Sequence, residues 1–527
     1  MCLEEHSCSH WLASSRSVDQ LQVRPTRLIG VTAFGSDSMD AQLVDGSNIS
    51  TYVTLSHCWG IEPAYKTTQE NLPKHMAQIR YERLPATFRH AMKITRNLGY
   101  RYIWIDALCI IQGSEEDWAS EGSKMEAIFS NCVLCISATS GTDSFSGCYS
   151  KTATGRTNID DYVLEIPSVL STGSRSALYL YYPQPFDYEY MIWPAIIRDS
   201  PSTTRGWMLQ ERLLAPRILH FTSEQLIWEC CAGFKSEDGL EPWALAISAG
   251  GGGPSHHNTG PKLAHELANA SGALAPFEIV WKWYNDVISE HYSKRLLSFG
   301  QDKLPAVSGP TRLVARSTKS RYIAGLWECG LCFGLCWRVD APAPPLPTQE
   351  EYRAPSFSWA SLDSPVSWEP DIYNHEIPPP LFTVLSLDSE PATSDRFGRV
   401  SQAALKVKGR FKQFQVRPSK YDWEIHGPIT SDDPNAYFLA SLEVYQSFSV
   451  AWLDTEPQDE TLLGMLVCEA HKGVIGDEKY LYILLLMPAI GRPDVFKRRG
   501  LATMPKSEAY DCVAYPGEYR DEIITLI

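Results

Sequence analysis

The stretch Tyr52-Val-Thr-Leu-Ser56 is followed by two similar runs, Tyr102-Ile-Trp-Ile105 and Val133-Leu-Cys-Ile136. Each run is short, apolar and rich in β-branched or aromatic residues, which is typical of buried strands. With a helical segment in each gap, the order strand, helix, strand, helix, strand predicts a parallel sheet with helices on its faces. We therefore expect an α/β fold with strands at about 52–56, 102–106 and 133–137 in one sheet.

The two gaps between these strands have the periodicity of amphipathic helices. Apolar residues recur at helical spacing from Leu84 to Leu98, so the first helix is expected there. Ser114 is followed by three acidic residues, which favour the positive end of a helix, so it is predicted to cap a second helix that ends near Ser130.

The rest of the chain divides by composition. Residues 1–50 have weak periodicity and predict an irregular lead-in with one short strand near Leu28–Val31. The α/β domain is expected at 51–235, a helical region with a mobile Gly/Ser-rich loop at 236–345, and a β-rich C-terminal domain at 346–527. Further helices are predicted at Thr204–Leu214, Pro276–Tyr292 and Leu304–Ala324, and further strands at Ile218–Phe221, Leu226–Glu229, Leu405–Val416, Tyr437–Trp452, Leu463–Glu469, Tyr480–Met487 and Glu522–Leu526.

Composition narrows the function classes. The chain of 527 residues is too long for a single ordinary domain, so two or three packed units are expected. The net charge of −15 disfavours a nucleic-acid binder, because phosphate contacts need clustered Lys and Arg. The longest apolar run is about half of a membrane span, and the polar, acidic start lacks the pattern of a secretory signal. We expect a cytoplasmic protein without a membrane span, whose 14 cysteines are mostly reduced and buried.

Motifs for metal or phosphate binding are largely absent. The chain has no GxxxxGK[ST], GxGxxG or GxSxG pattern, and His265-Glu-Leu-Ala-Asn269 lacks the second histidine of a zinc HExxH. Cys329 and Cys332 form an isolated CxxC, for which apolar packing is the favoured interpretation. Cys2, His6, Cys8 and His10 near the start are residue types that can bind a metal, but they lie on a terminus that is expected to fray. No metal or cofactor is predicted.

The adjacent His57 and Cys58 raise the alternative of a cysteine nucleophile. Neighbours that leave a strand point to opposite sides, so these two side chains are not expected to pair. His220 is the other histidine near a predicted strand end and would have to serve as the base. Burial of a small residue is the default interpretation of Cys58.

Several separate blocks, in matching order across about residues 50–230, resemble the fungal heterokaryon-incompatibility domain, the HET domain. These blocks are Tyr52-Val-Thr-Leu-Ser-His-Cys-Trp-Gly60, Leu84-Pro-Ala-Thr-Phe88, Tyr102-Ile-Trp-Ile-Asp-Ala-Leu-Cys-Ile-Ile-Gln112, Glu116-Asp-Trp118 and Arg205-Gly-Trp-Met-Leu-Gln-Glu-Arg-Leu-Leu214. Departures are small: His57 stands where Tyr is common, Ile111 where Asn is often seen, and Met208 where Thr is usual.

The resemblance implies an effector of non-self recognition and programmed cell death. The HET domain is also similar to TIR domains, whose enzymatic members cleave NAD, so a TIR-like fold and NAD hydrolysis to nicotinamide and an ADP-ribose product are implied. This cleavage passes through an oxocarbenium-like state, which a nearby carboxylate stabilises. Nicotinamide leaves readily, so NAD would be a substrate and no cofactor is needed.

The resemblance also suggests which residues act. Enzymatic TIR domains place a glutamate on a helix shortly after a tryptophan, and Trp207 and Glu211 have that arrangement on one helix face. Glu211 and Asp106 are the candidate catalytic residues, with Glu211 expected to be exposed and replaceable at little cost in stability. A surface ion pair of Glu211 with Arg205 or Arg212, and a turn or cap role for Asp106, are the alternatives. The candidate nucleotide-binding residues are Ser56, Trp59, Gly60, Arg205 and Trp207.

Two other function classes remain open. The domain could be a non-enzymatic, self-associating signalling module, or a biosynthetic enzyme that uses the same cleft for another small molecule. The sequence does not name a recognition partner protein.

Overall fold

A computed structural model describes most of the chain. The described residues are 23–35, 37–61, 65–149, 163–169, 175–181, 197–223, 225–230, 233–237, 274–340, 352–368, 378–417, 437–441, 450–454, 460–471, 479–506 and 520–527. The predicted Gly/Ser-rich loop and the metal-capable residues near the start lie outside them. The chain folds into two compact units, Met1–Asn269 and Ala270–Ile527. The finer domain bounds predicted above stay a prediction.

The first unit is built on a sheet of eight strands. The described strands of the first unit, both inside and outside this sheet, are β1 (Arg27–Gly30), β2 (Gln42–Asp45), β3 (Val53–Ser56), β4 (Tyr102–Trp104), β5 (Leu134–Ser137), β6 (Val163–Val169), β7 (Arg175–Tyr181), β8 (Arg217–Phe221), β9 (Leu226–Cys230) and β10 (Gly233–Ser236). The sheet order is β10-β9-β8-β5-β3-β4-β1-β2, and β6 pairs with β7 apart from it.

The centre of this sheet is parallel, as predicted. β3 pairs in parallel with β4 and β5, and β5 pairs in parallel with β8. β1 and β2 extend the sheet in antiparallel order on one side, and β9 and β10 do so on the other. The region predicted as an irregular lead-in therefore supplies two strands of the sheet, one more than expected.

Helices cover the connections between these strands. They are α1 (Leu72–Ala77), α2 (Ala86–Asn97), α3 (Asp106–Cys109), α4 (Glu115–Asn131) and α5 (Gly206–Leu214), with 3-10 turns at Tyr81–Arg83 and Pro201–Thr204. Ser114 caps α4, since its side chain accepts a hydrogen bond from the Asp117 amide at 3.2 Å. α2 buries Phe88 and Met92 and packs against β4. Both predicted crossover helices are confirmed.

The second unit begins with helices. They are α6 (Pro276–Lys282), which continues as a π-helix (Trp283–Tyr292), α7 (Ser308–Thr318) and α8 (Leu331–Gly334), with 3-10 turns at Gly300–Asp302, Pro305–Val307 and Trp359–Ser361. The predicted helix Leu304–Ala324 is too long, because Lys319 takes a left-handed conformation (φ 54°) and ends α7.

Strands dominate the remainder of the second unit. They are β11 (Tyr322–Ile323), β12 (Leu326–Trp327), β13 (Trp337–Val339), β14 (Val366–Trp368), β15 (Phe382–Pro391), β16 (Val400–Arg417), β17 (Tyr437–Ser441), β18 (Val450–Leu453), β19 (Glu460–His471), β20 (Lys479–Ala489), β21 (Arg492–Lys506) and β22 (Arg520–Leu526). β16, β19, β20, β21 and β22 pair in turn and close back onto β16 as a five-stranded ring. The predicted β-rich C-terminal region is confirmed, while β15 and β21 escaped prediction.

One buried ion pair ties this ring to the preceding segment. Arg498 on β21 donates from Nε to Asp454 Oδ2 at 2.9 Å and from Nη1 to the Leu335 carbonyl at 2.7 Å. Its guanidinium carbon lies 3.4 Å from the centroid of the Trp337 ring, and Nη2 donates to the Trp337 carbonyl. Because both charges are buried, each depends on the other for solvation.

Across the described part of the chain, no helix has the length and apolar character that crossing a membrane requires.

Candidate functional site

The carboxyl ends of the central parallel strands collect polar residues at one edge of the sheet. Ser56 at the end of β3 lies in register with Ser137 on β5, which in turn lies in register with His220 on β8. Trp59 follows β3 in the chain, and Asp106 follows β4. In open α/β sheets this edge is where ligands bind, so it is the candidate site.

Asp106 joins the ends of two neighbouring strands. Its Oδ2 accepts a hydrogen bond of 2.6 Å from the Trp59 indole, and its Oδ1 accepts one of 2.7 Å from the Ala107 amide at the start of α3. Asp106 is the first residue of α3, whose N-cap is Ile105, so the alternative of a cap role is wrong and its side chain instead makes a cross-strand contact. The Asp106 side chain keeps 24 % of its surface exposed, so the carboxylate can still reach a ligand.

His57 is a buried, neutral side chain behind this carboxylate. Its Nδ1 lies 3.9 Å from Asp106 Oδ1, and its ring meets the edge of the Phe88 ring at 5.1 Å. Burial lowers the pKa of His57 to about 4, with Asp106 opposing this and Arg205 adding to it. Its Nε2 is buried without a hydrogen-bond partner among the described residues. At neutral pH His57 is uncharged.

The structure gives no support to a cysteine nucleophile. Burial raises the pKa of the Cys58 thiol, with Arg205 opposing this and Glu211 adding to it, so the thiolate is disfavoured. His220 is engaged elsewhere: its Nδ1 lies 3.0 Å from Thr139 Oγ1 and its Nε2 lies 2.8 Å from Glu229 Oε2. The thiol therefore lacks the base that the cysteine alternative required.

Helix α5 carries the predicted Trp–Glu pair, but Glu211 is not exposed as expected. Only 7 % of its surface is accessible, and the helix that carries it packs against α4. Arg205, at the N-cap of α5, donates from Nη1 to the His57 carbonyl at 3.3 Å. The charges of Arg205 and Glu211 both act on the pKa of Cys58, which places the two groups near the end of β3.

An aromatic side chain of another helix contacts Trp207. The Trp118 ring, in the first turn of α4, meets the Trp207 ring edge-on with 5.9 Å between centroids. It lies over Gly122, where an added Cβ would meet the ring at 3.6 Å, and 36 % of its surface is exposed. In the sequence, the available signal is a tryptophan early in the helix that Ser114 caps. Helical periodicity alone does not tell whether such a side chain is buried or exposed.

Gly60 lets another group come close to the backbone, as predicted for a ligand, but the group that comes close in the structure is Asp143 of the same chain. Its φ of +84° favours glycine, and an added Cβ would lie 2.8 Å from the Cβ of Asp143. The Ser144 hydroxyl also donates to the Trp59 carbonyl at 3.2 Å. Gly60 therefore lets the loop at Asp143 pack against the turn that positions Trp59.

A second polar network lies beside the site and fixes α5. Arg212 Nε donates to Glu229 Oε2 at 2.9 Å, and the same oxygen contacts His220 Nε2 at 2.8 Å. Thr139 extends the network from His220 to Ser137 Oγ at 2.9 Å. All of these groups are buried apart from Arg212, which is 12 % exposed at its side chain. Arg212 therefore pairs with Glu229, while the alternative ion pair of Glu211 with Arg205 or Arg212 stays a prediction.

Among the described residues, no three His, Cys, Asp or Glu side chains are grouped so that they could hold a metal ion. The CxxC cysteines are no exception: Cys332 is buried, and its neighbour Cys336 has its Sγ 3.9 Å from Cys468 Sγ.

Comparison with known proteins identifies one relationship. The model of the family described as heterokaryon incompatibility protein (HET) matches residues 52–211, which span β3 to the middle of α5 and include every predicted site residue. Neither the curated proteins nor the solved structures contain a match to the chain. Residues 52–211 of this chain therefore form a HET domain.

Proposed function

We propose that this chain acts in non-self recognition and programmed cell death by hydrolysing NAD at the carboxyl edge of its HET-domain sheet. HET membership supports the incompatibility role. The observation that carries the enzymatic part is the Trp59–Asp106 hydrogen bond at the ends of adjacent parallel strands, with Arg205 donating to the carbonyl of His57, two residues before Trp59. These groups offer a carboxylate, an aromatic ring and a cation at the edge where nucleotides bind in such sheets.

In the proposed reaction the bond between ribose C1′ and the nicotinamide nitrogen breaks. The bonding electron pair goes to the nicotinamide nitrogen, which becomes neutral, while positive charge develops on the ribose. Water then forms a bond to C1′ and loses a proton, giving nicotinamide, ADP-ribose and one proton. A carboxylate held close to the ribose stabilises the developing charge.

Glu211 is the proposed carboxylate for that charge. It is buried, and its charge acts on the Cys58 thiol at the end of β3. A charge in a site that excludes water interacts more strongly with a developing opposite charge than one in open solvent. Asp106, more exposed and fixed by Trp59, is suited to orient a ribose hydroxyl.

The remaining residues suit the rest of a dinucleotide. Arg205 is a partner for the pyrophosphate, since a guanidinium donates two hydrogen bonds to such oxygens. Trp207, with Trp118 against it, offers an aromatic wall for a planar ring. Ser56 and the turn at Gly60 border the same edge.

The test is mass spectrometry of NAD incubated with the full chain over a range of protein concentrations. We expect nicotinamide and ADP-ribose from the wild type and a loss of roughly 10²–10³ in rate for Glu211→Gln. Glu116→Gln is the matched control, because Glu116 is an exposed glutamate in the first turn of α4. Circular dichroism must show that Glu211→Gln is folded, since this side chain is buried.

Two results would contradict the proposal. A wild-type protein that consumes no NAD even when concentrated supports the self-associating signalling module, or an enzyme acting on another small molecule. A folded Glu211→Gln variant that cleaves NAD at the wild-type rate retains the enzyme and rejects Glu211, and Asp106→Asn is then the next variant.

A further inference from the structure

The side chain of His57 is held in one orientation behind the Asp106 carboxylate. Its ring packs edge-on against Phe88 of α2, with 5.1 Å between the centroids and 85° between the planes, and 1 % of the side chain is exposed. Arg205 donates from Nη1 to the His57 carbonyl at 3.3 Å, which ties the main chain to the start of α5. A ring enclosed in this way presents fixed nitrogen atoms to its neighbours.

The two ring nitrogens of His57 lie in different surroundings. Nε2 is buried and has no hydrogen-bond partner among the residues that the structure describes. Nδ1 lies on the side of Asp106, 3.9 Å from Oδ1, a separation longer than a hydrogen bond. Burial lowers the pKa of His57 to about 4, so the ring is neutral at pH 7 and carries one N–H donor. The negative carboxylate favours the tautomer with that proton on Nδ1.

Asp106 has acceptor capacity left for a ligand. Its Oδ1 accepts from the Ala107 amide at 2.7 Å and its Oδ2 from the Trp59 indole at 2.6 Å, while 24 % of the side chain is exposed. A carboxylate offers about four acceptor positions, so these two donors do not fill it. A ligand that approaches along the exposed part of the carboxylate can therefore donate a hydrogen bond to Oδ1.

The gap between the imidazole and the carboxylate is one that a single oxygen atom spans. An oxygen at about 2.8 Å from each of His57 Nδ1 and Asp106 Oδ1 bridges the observed 3.9 Å with ordinary hydrogen bonds. Such an oxygen accepts from the imidazole and donates to the carboxylate. A hydroxyl group does both, whereas carbonyl and phosphate oxygens only accept and an ammonium only donates. The polarity of the pair therefore selects a hydroxyl group.

We propose that His57 and Asp106 together bind one hydroxyl group of the substrate, and that this hydroxyl belongs to the ribose that carries nicotinamide in NAD. The hydroxyl site follows from the geometry, whereas its assignment to this ribose rests on the proposed function. His57 is then a specificity-determining residue, because a substrate without the hydroxyl leaves the Nδ1 donor and the Oδ1 acceptor unpaired.

The experiment is calorimetric titration of the full chain at pH 7 with ADP-ribose and, separately, with ADP, which lacks the second ribose. His57→Phe keeps a ring against Phe88 and removes both nitrogens, so we expect it to bind ADP-ribose about tenfold more weakly than the wild type and ADP equally well. His57→Asn returns an amide N–H donor close to the position of Nδ1 and should recover most of the lost affinity. Circular dichroism verifies that each variant is folded.

His75→Phe is the matched control, because His75 is another buried histidine of the first unit and its Nδ1 lies 2.9 Å from Thr67 Oγ1. Its affinity for both ligands should equal that of the wild type. A loss equal to that of His57→Phe would attribute the effect to packing and overturn the proposal.

Three further results would overturn the hydroxyl site. They are a wild type that does not bind ADP-ribose, a His57→Phe variant whose affinity for ADP-ribose falls no more than its affinity for ADP, and a folded His57→Asn variant that binds no better than His57→Phe. Should His57→Phe not fold, the wild type decides, since it must bind ADP-ribose about tenfold more tightly than ADP. Release of nicotinamide from NAD is measured on the same wild-type protein: its absence rejects the proposed function, while a ribose-selective loss in His57→Phe still supports the hydroxyl site.

Discussion

Acid should destabilise the first unit through His57, and the size of the effect follows from its burial. In the folded chain the pKa of His57 is lowered to about 4, against 6.5 for an exposed histidine. Between these values the unfolded chain binds a proton that the folded chain does not, so stability falls as the pH drops from 6.5 to 4 and is unaffected by this group above 6.5. At 1.36 kcal/mol per pKa unit, the loss is about 3 kcal/mol.

The assay is hydrogen–deuterium exchange of peptides from β3 and β4 in the full chain, measured from pH 7 to pH 4 and corrected for intrinsic exchange. His57→Gln is the informative comparison, because it removes the titrating ring and leaves His75 and His90, whose pKa values burial also lowers. The wild type should lose about 3 kcal/mol more protection than the variant over this range. Equal losses in the two proteins would refute the assignment of a buried, neutral His57.

Two further substitutions test the packing of each unit. Gly60→Ala should destabilise the first unit by about 1–3 kcal/mol in chemical denaturation, since it adds a Cβ 2.8 Å from Asp143 at a φ of +84°. Gly113→Ala is the control, because Gly113 has a φ of +85° and open space around it, so this variant measures the cost of backbone strain alone. An equal loss of stability in both variants would show that the clash with Asp143 contributes nothing. Arg498→Met should lower the stability of the second unit by about 3–5 kcal/mol, because it leaves Asp454 buried without its arginine. The double variant Arg498→Met with Asp454→Leu should recover much of the lost stability. If it does not, the loss comes from other contacts of Arg498.

The parallel core was predictable because its strands are buried on both faces. Every residue of β3 and β5 is buried, the polar Thr54 and Ser56 included, so each strand appears in the sequence as a short, mostly apolar run between helical segments. β15 and β21 lack that signal for different reasons. β15 is mostly exposed, and the first half of β21 is the charged run Arg492-Pro-Asp-Val-Phe-Lys-Arg-Arg499. β15 pairs with β16, and β21 pairs with β18, β20 and β22, so their strand structure depends on cross-strand pairing, which a local pattern does not record.

The candidate site was predictable in its strand ends but not in the environment of its helix. The positions of Trp59 and Asp106 follow directly from where β3 and β4 end. The spacing of Trp207 and Glu211 indicates a shared helix face, yet spacing cannot tell whether another element covers that face. Glu211 is buried on α5, and this burial decides both its electrostatics and the cost of replacing it.

The two halves of the proposed site are therefore held by different means. Asp106 and Trp59 are fixed by the ends of adjacent strands and by their own hydrogen bond. Glu211 is carried by a helix of nine residues, too short to hold its position without tertiary contacts. The next residue, Arg212, binds Glu229 of β9, which also contacts His220 of β8, so a buried network ties the orientation of α5 to the sheet. Because neighbours on a helix point about 100° apart, an Arg212 anchored on the sheet sets the direction in which Glu211 extends. The buried Glu229 thus acts on the proposed catalytic carboxylate through Arg212.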